Sequence, residues 1–462
     1  WMGLTVGCAQ CHTHKFDPLT HHEYYQLFAF FNSSQDINSV TPTLAVASES
    51  EQARLAEFDK QIAEAKAALA QLDQRGDEQA AAAERTNRAA DLKRLQDERS
   101  KLAKDLPATM IMRDLDKPRA TNVLIRGDFL RKGDMVHGNA PAFLPAMAGE
   151  AAAHTRLDLA KWLVSGEHPL TARVTVNRVW ARFFGQGLVE TENDFGLQGT
   201  PPTHPELLDS LANELIESGW SIKQLQRSIV TSATYRQSSH LREDAEQVDP
   251  SNKLISRQTR LRVDAEIVRD LALAASGLFD GRIGGPSVYP PQPDGVYAFT
   301  QRNAGWPTSK GADRYRRGLY TFFMRSAPYP MLTTFDTPRF DTTCTLRVRS
   351  NTPLQSLTLA NDEAMLDNAR ALGRRLVQEA SSDSDRIALA YQLCFARDPS
   401  QREADRLLAF VASQRADFLA SPDDARAISV ATQGSDEQLA ELAAWTLAAR
   451  VVLNLDEFIT RE

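Results

Sequence analysis

The chain has 462 residues, 42% of them hydrophobic and 24% charged, with a net charge of −7. Such a composition belongs to a globular protein with a substantial core, and the length predicts roughly two to four domains. The acidic balance leaves no basic stripe for phosphate contacts, which excludes a nucleic-acid binder, and no run of about 18 apolar residues marks a transmembrane segment.

The first signal in chain order is Cys8-Ala9-Gln10-Cys11-His12. In C-x-x-C-H, two thiols three positions apart can each form a thioether to a haem vinyl group, and the next residue presents an imidazole to the iron. On that reading the cofactor is haem c, bound by Cys8 and Cys11, with His12 as the axial iron ligand. The alternatives are a zinc or iron ion completed by His14, or two structural thiols. His14 stands two residues beyond His12 and cannot swing to the opposite haem face. Met2, His21 and His22 are candidates for the sixth iron position, and none has a spacing that singles it out. The aromatic run Tyr24 to Phe31 has helical periodicity and reads as core.

Residues 1–6 read as the interior of a domain, so the chain is expected to be the C-terminal part of a longer protein. Haem is attached covalently outside the cytoplasm, and the haem reading therefore carries an exported, periplasmic location with it. Cys344 and Cys394 are isolated in sequence and read as unpaired thiols.

Residues 49–106 turn abruptly to Ala, Glu, Gln, Lys and Arg. Leu55, Phe58, Ile62, Ala65, Leu69 and Leu72 follow alternating steps of three and four, a heptad seam. A polar break at Gly76-Asp77 precedes a second run with Leu92, Leu95, Leu102 and Leu106. The pattern predicts an antiparallel helical hairpin ending at Pro107, a spacer or a coiled-coil docking arm. Thr109 to Met112 and Asn122 to Ile125 read as strands, and Arg126-Gly127-Asp128 as a turn.

Helices are expected over Leu157–Val164, Ala172–Phe184, Pro205–Ser218, Ile222–Ala233 and Val263–Leu278, with a further helical stretch from Thr352 to Arg461. The loop-rich, aromatic region 281–340 between them is where a binding surface would be built. The expected fold class is mainly α and multidomain, with the hairpin and a small β segment as exceptions. The divisions fall at 1–48, 49–107, 108–150 and 151–462.

Several longer strings carry a resemblance. Gly3-Leu4-Thr5-Val6-Gly7 through Phe31, with C-x-x-C-H-x-H-K-F-D-P at its centre, resembles the end of the planctomycete PSCyt domain, domain of unknown function fifteen forty-nine. His168 to Val174, Val176-Asn177-Arg178-Val179-Trp180, Phe184 to Val189 and Asp194-Phe195-Gly196 resemble the companion PSD domain, domain of unknown function fifteen fifty-three. Pro202 to Asp209, Ile229 to Arg236, Ser350 to Gln355 and Asn361-Asp362 do so as well. The resemblance implies a PSCyt-like end over 1–48 and a PSD-like domain over 151–462, in an exported cytochrome c-like protein often encoded beside sulfatase-like genes. It implies electron transfer with an unnamed redox partner, linked to polysaccharide metabolism. The alternative is a carbohydrate-binding or carbohydrate-active protein whose cysteine site is structural or holds a metal.

For that alternative, Glu190, Glu192 and Asp194 form an acidic loop, and glycoside hydrolysis needs two carboxylates about 5–9 Å apart. Arg314, Arg316 and Arg317 lie near Trp306, Tyr315 and Tyr320, a set able to fork onto a sulfated or carboxylated sugar. Structural ion pairs are the plainer use of those arginines. No G-x-S-x-G, H-E-x-x-H or phosphate-loop string is present, and Asp194-Phe195-Gly196 lacks the companions of a kinase.

Overall fold

The computed structural model describes residues 1–35, 41–73, 80–298, 305–430 and 433–461. Their backbone is mainly α-helical, with three two-stranded ribbons. Contacts divide the chain into two compact units, Thr5–Pro169 and Trp1–Leu4 joined with the chain from Leu170 onward.

In the first unit, α1 (His21–Asn32) begins on a capping box in which Thr20 and Glu23 serve each other's backbone amides. Glu23 is almost fully buried. Burial disfavours its carboxylate, yet hydrogen bonds from Ala142, the Thr20 amide and the Thr20 hydroxyl outweigh that and hold its pKa below the usual value. One side chain thus starts the helix and pins the 140–144 loop to it.

The expected hairpin is present as α2 (Glu49–Asp73) and α3 (Ala80–Asp105). Leu55, Phe58, Ile62, Ala65, Leu69 and Leu72 are all shielded, with exposed positions between most of them, so the heptad seam is the packing seam. Arg99 forks onto Asp59 at 2.6 and 3.1 Å, and Arg85 reaches the Leu72 carbonyl, which makes the pairing antiparallel. The break at Gly76-Asp77 lies outside the described residues. Below the hairpin, β1 (Thr43–Ala45) pairs antiparallel with β2 (Ala108–Met110), closing its base. A second ribbon joins β3 (Thr121–Leu124) to β4 (Lys132–Val136). The short α4 (Arg156–Leu163) follows, and His168 packs edge-on against its Trp162 at 4.5 Å.

The second unit starts with α5 (Thr171–Phe184), α6 (Pro205–Glu217) and α7 (Ile222–Thr231), whose apolar faces meet around Trp180, Phe184, Leu208, Leu215, Leu225 and Ile229. Asn177 is fully buried in this cluster. Its Oδ1 accepts from the Val189 amide at 2.8 Å and its Nδ2 donates to the Val189 carbonyl at 2.9 Å. Gly187 packs so close that a Cβ would sit 2.6 Å from the Asn177 amide. The Val176-Asn177-Arg178 and Gly185-Gln186-Gly187 strings are therefore two halves of one joint.

Beyond the small α8 (Glu243–Val248), β5 (Leu261–Arg262) leads into α9 (Ala265–Ser276). After the one-turn α10 (Pro330–Thr334), the chain runs through α11 (Pro353–Asn361), α12 (Glu363–Glu379), α13 (Asp383–Phe395), α14 (Gln401–Ala420), α15 (Pro422–Ser429), α16 (Asp436–Leu453) and α17 (Asp456–Ile459). The final strand β6 (Thr460–Arg461) pairs with β5. Helix α16 is the centre of this core, with Trp445 fully buried. Gly373 lets α12 approach it, since a Cβ there would lie 2.8 Å from the Thr446 amide nitrogen.

Replacing Asn177 by Ala orphans both polar groups of Val189 and leaves a void, so we expect a loss of about 2–5 kcal/mol. Urea titration followed by circular dichroism measures it. An unchanged midpoint with an unchanged slope would mean the 185–189 segment is held by something else.

Candidate functional site

The C-x-x-C-H residues lie on a 3₁₀ turn, Gly7–Gln10, with Cys11 as its C-cap. The turn closes through the Ala9 amide on the Val6 carbonyl at 3.0 Å, and Ala9 is the buried residue that seats it. Cys8 and Cys11 are exposed, free thiols, and His12 is exposed beside them. The thiols and the imidazole therefore share one accessible stretch of surface.

Two side chains of α1 hold that turn from beneath. Tyr25, itself buried, donates its hydroxyl proton to the Gln10 carbonyl at 2.9 Å, and His21 Nε2 lies 3.0 Å from the same oxygen. Burial, aided by the nearby Tyr24 and Cys11, raises the Tyr25 pKa above its ordinary value, so the phenol stays a donor. On the other side stands Gly127, in the turn between β3 and β4 with φ of +74°. A Cβ at Gly127 would sit 2.8 Å from the Cys11 sulfur. Arg126-Gly127-Asp128 is thus a tight turn, closed by the Asp128 amide on the Ile125 carbonyl, whose glycine makes room for a cysteine.

His12 is oriented by the backbone. Its Nδ1 lies 2.7 Å from the Thr13 carbonyl. A carbonyl oxygen only accepts, so Nδ1 carries a proton and, of the two neutral tautomers, the contact selects the one whose lone pair is on Nε2. That is the arrangement by which metal-ligating histidines are commonly fixed. The donor set suits a c-type haem: two free thiols at the required spacing and an imidazole with Nε2 outward.

His14 has a different environment. It is buried, its Nδ1 accepts from the Asp17 amide at 2.8 Å, and its own amide donates to the Leu19 carbonyl at 2.9 Å. Both contacts commit it to closing the Lys15-Phe16-Asp17-Pro18 turn. Among the described residues no group of three His, Cys, Asp or Glu side chains could hold a metal ion. The sequence brought His14 forward by proximity alone, whereas Gly127, which does touch Cys11, is more than a hundred residues away in sequence. Of the remaining candidates for the sixth iron position, His21 faces Gln10, His22 is exposed, and Met2 belongs to the other compact unit.

The sugar-recognition candidates are used internally. Arg314 pairs with Asp367 at 2.5 Å and Glu363 at 3.1 Å, and Arg317 with Asp270 at 3.2 Å. Arg316 is buried, donates to the Arg282, Gly284 and Pro286 carbonyls and lies over the Tyr320 ring. Trp306 stacks parallel to Tyr329, and its indole donates to the Pro290 carbonyl. In the acidic loop, Glu190 pairs with Lys253 and Asp194 caps the Gly196 amide, while Glu192 is buried. Cys344 and Cys394 are free; burial pushes the Cys394 thiol up to about 12.

A family described as PSD1, protein of unknown function (DUF1553), matches residues 155–411, and one described as PSCyt2, protein of unknown function (DUF1549), matches residues 1–36. The first match spans 257 of the 462 residues. No curated protein and no solved structure matches the chain.

In protein produced without haem maturation, iodoacetamide at pH 8 should alkylate Cys8, Cys11 and Cys344 and spare Cys394. A thiol with a pKa of about 12 is only roughly one part in ten thousand thiolate at that pH. Peptide mass spectrometry reads the result, and rapid labelling of Cys394 would contradict the packing of α13.

Proposed function

We propose that this chain, which belongs to the PSD1 family (DUF1553) of proteins of unknown function, is an exported protein carrying a c-type haem on Cys8, Cys11 and His12 and serving electron transfer. The observation that carries the reading is the donor set itself. Two free thiols and an imidazole lie side by side on an exposed turn, and the Thr13 carbonyl leaves His12 Nε2 available as an iron ligand. A covalently held haem supplies a one-electron couple whose potential depends on axial ligation, hydrogen bonding and burial.

The protein's own residues have separable roles. Cys8 and Cys11 would each add a sulfur across a vinyl group, which anchors the ring without consuming an acceptor or donor elsewhere. His12 would approach the iron through Nε2, with Thr13 fixing its tautomer. Tyr25 and His21 hold the Gln10 carbonyl and so set the height of the turn above α1, while Gly127 leaves space for Cys11. The match of residues 1–36 to PSCyt2 covers every one of these groups except Gly127. Family context, rather than any group in the structure, supports a link to extracytoplasmic polysaccharide metabolism and an exported location. Among the described residues no helix is long and apolar enough to cross a membrane.

The test is expression with an export signal in cells whose haem-maturation system also processes a control cytochrome c. The chain should retain haem through denaturing electrophoresis and give a sharp reduced absorption band, and Cys8→Ser/Cys11→Ser should abolish both. A chain that stays colourless while the control matures is not a c-type cytochrome. We also expect Gly127→Val to lower haem retention several-fold while keeping helical content, because the added methyl groups displace Cys11. Retention equal to the parent chain would remove Gly127 from the site.

A further inference from the structure

Inside the segment that defines the family, four arginines surround one buried carboxylate. Arg178 and Arg182 stand one turn apart on α5 and share a face. Arg347 and Arg349, two residues apart, line the same cleft from the 345–349 segment, with Glu192 between. The cleft is small, with a cavity volume of about 20 Å³, and opens to solvent. Glu192 is 7% exposed and faces the cleft. None of these residues has a part in the cysteine turn.

The ion pairs at hand do not balance this cluster. Asp264 is shared by Arg182 at 3.5 Å, Arg347 at 3.6 Å and Arg349 at 3.5 Å, each longer than a direct hydrogen bond. Glu266 takes the fork of Arg347 at 2.8 and 3.2 Å. Arg178 donates to the neutral Asn193 at 3.3 Å. The Nε atoms of Arg178 and Arg349 are buried and make no hydrogen bond among the described residues, and the only carboxylate near Arg349 Nε is Asp264 at 3.5 Å. Four guanidiniums thus face Asp264 and Glu266, and Arg461 and Arg262 add further positive charge near Arg349.

We propose that this cleft is a binding site for a tetrahedral dianion, sulfate or phosphate, free or as an ester. Such an ion offers oxygens in several directions, which suits guanidinium donors from two different segments, and its charge answers the local excess of cations. Buried donors without acceptors are costly, and four guanidiniums in a half-buried cleft repel one another. An oxyanion relieves both at once. Glu192 faces the same cleft, and burial raises its pKa above the ordinary carboxylate value against the pull of Arg182, Arg178 and Arg349. Burial also disfavours the charged form of Arg349; Asp264 opposes this, and Arg182, Arg461 and Arg262 add to it.

Isothermal titration of the whole chain with sodium sulfate, sodium phosphate and sodium chloride at matched ionic strength tests the site. Sulfate and phosphate should each give a saturable one-to-one isotherm, and chloride none. Arg178→Gln should weaken binding at least tenfold, whereas Glu192→Gln, which leaves all four arginines in place, should stay within about threefold of the parent. Arg406→Gln on exposed α14 should change nothing. If circular dichroism shows Arg178→Gln misfolded, Arg182→Gln, whose side chain is 44% exposed, takes its place. A sugar sulfate or sugar phosphate binding more tightly than the free ion identifies an esterified source, and the reverse a free ion. Absence of saturable binding by any of these anions, or parental affinity in both arginine variants, overturns the proposal.

Discussion

The amide of Asn177 closes a backbone joint on which much of the second unit depends. The backbone in the interior of a helix is spent on its own ladder, and a buried loop beside it carries polar groups that need partners. Asn177 supplies a donor and an acceptor from one side chain and meets both groups of Val189, as a neighbouring strand would. Each of those two bonds is worth roughly 1 kcal/mol net, yet leaving either group orphaned costs up to about 3 kcal/mol. The asymmetry argues against an apolar residue at 177, and the close approach of Asn177 and the Val189 carbonyl leaves no room for a Cβ at Gly187. It also has a geometric consequence. Arg178 is the next residue on α5, and Glu192 follows three residues after Val189, so the joint fixes the distance between the helix-borne arginines and the buried acid.

Much of this architecture was legible in the sequence because the signals are local. Period 3.6 marked α5, α6, α7 and α9 to within a few residues of their observed ends, and the heptad in 55–72 named the buried seam of the hairpin residue by residue. What the sequence concealed is long-range. The ribbon β1–β2 closes the base of the hairpin across more than sixty residues, and its strands are three residues long with every residue exposed. No alternation can develop in so short a run. The pairing of β5 with β6 joins residues two hundred apart and left no pattern either.

The cysteine turn shows the same division. C-x-x-C-H is a local code, and the residues it names do lie together on one surface. Its supports are not local. Tyr25 looked like one aromatic among several, and only the fold shows its hydroxyl on Gln10; Gly127 looked like part of a turn, and only the fold sets it against Cys11. His14 is the converse case. Proximity made it a candidate ligand, whereas its burial and its bond from Asp17 give it to the backbone of the following turn. Adjacency along the chain says which atoms could meet, and burial decides which of them remain available.

The fate of the arginines separates structure from site. Arg262 is nearly fully buried, and its guanidinium meets the Ser350, Val263 and Phe335 carbonyls and the Asp336 carboxylate. Arg316 is spent on three carbonyls and the face of Tyr320, and Arg397 on the paired carboxylates of Glu403 and Glu457. For Arg262 and Arg316 the fold desolvates a cation and returns several acceptors, although the Arg316 Nε stays without one, whereas Arg397 keeps more of its exposure. Around Glu192 the same chain buries donors and returns too few. What sets this cleft apart is the gathering of four cations from two segments around one buried acid, with the Nε atoms of Arg178 and Arg349 lacking a hydrogen-bond acceptor there.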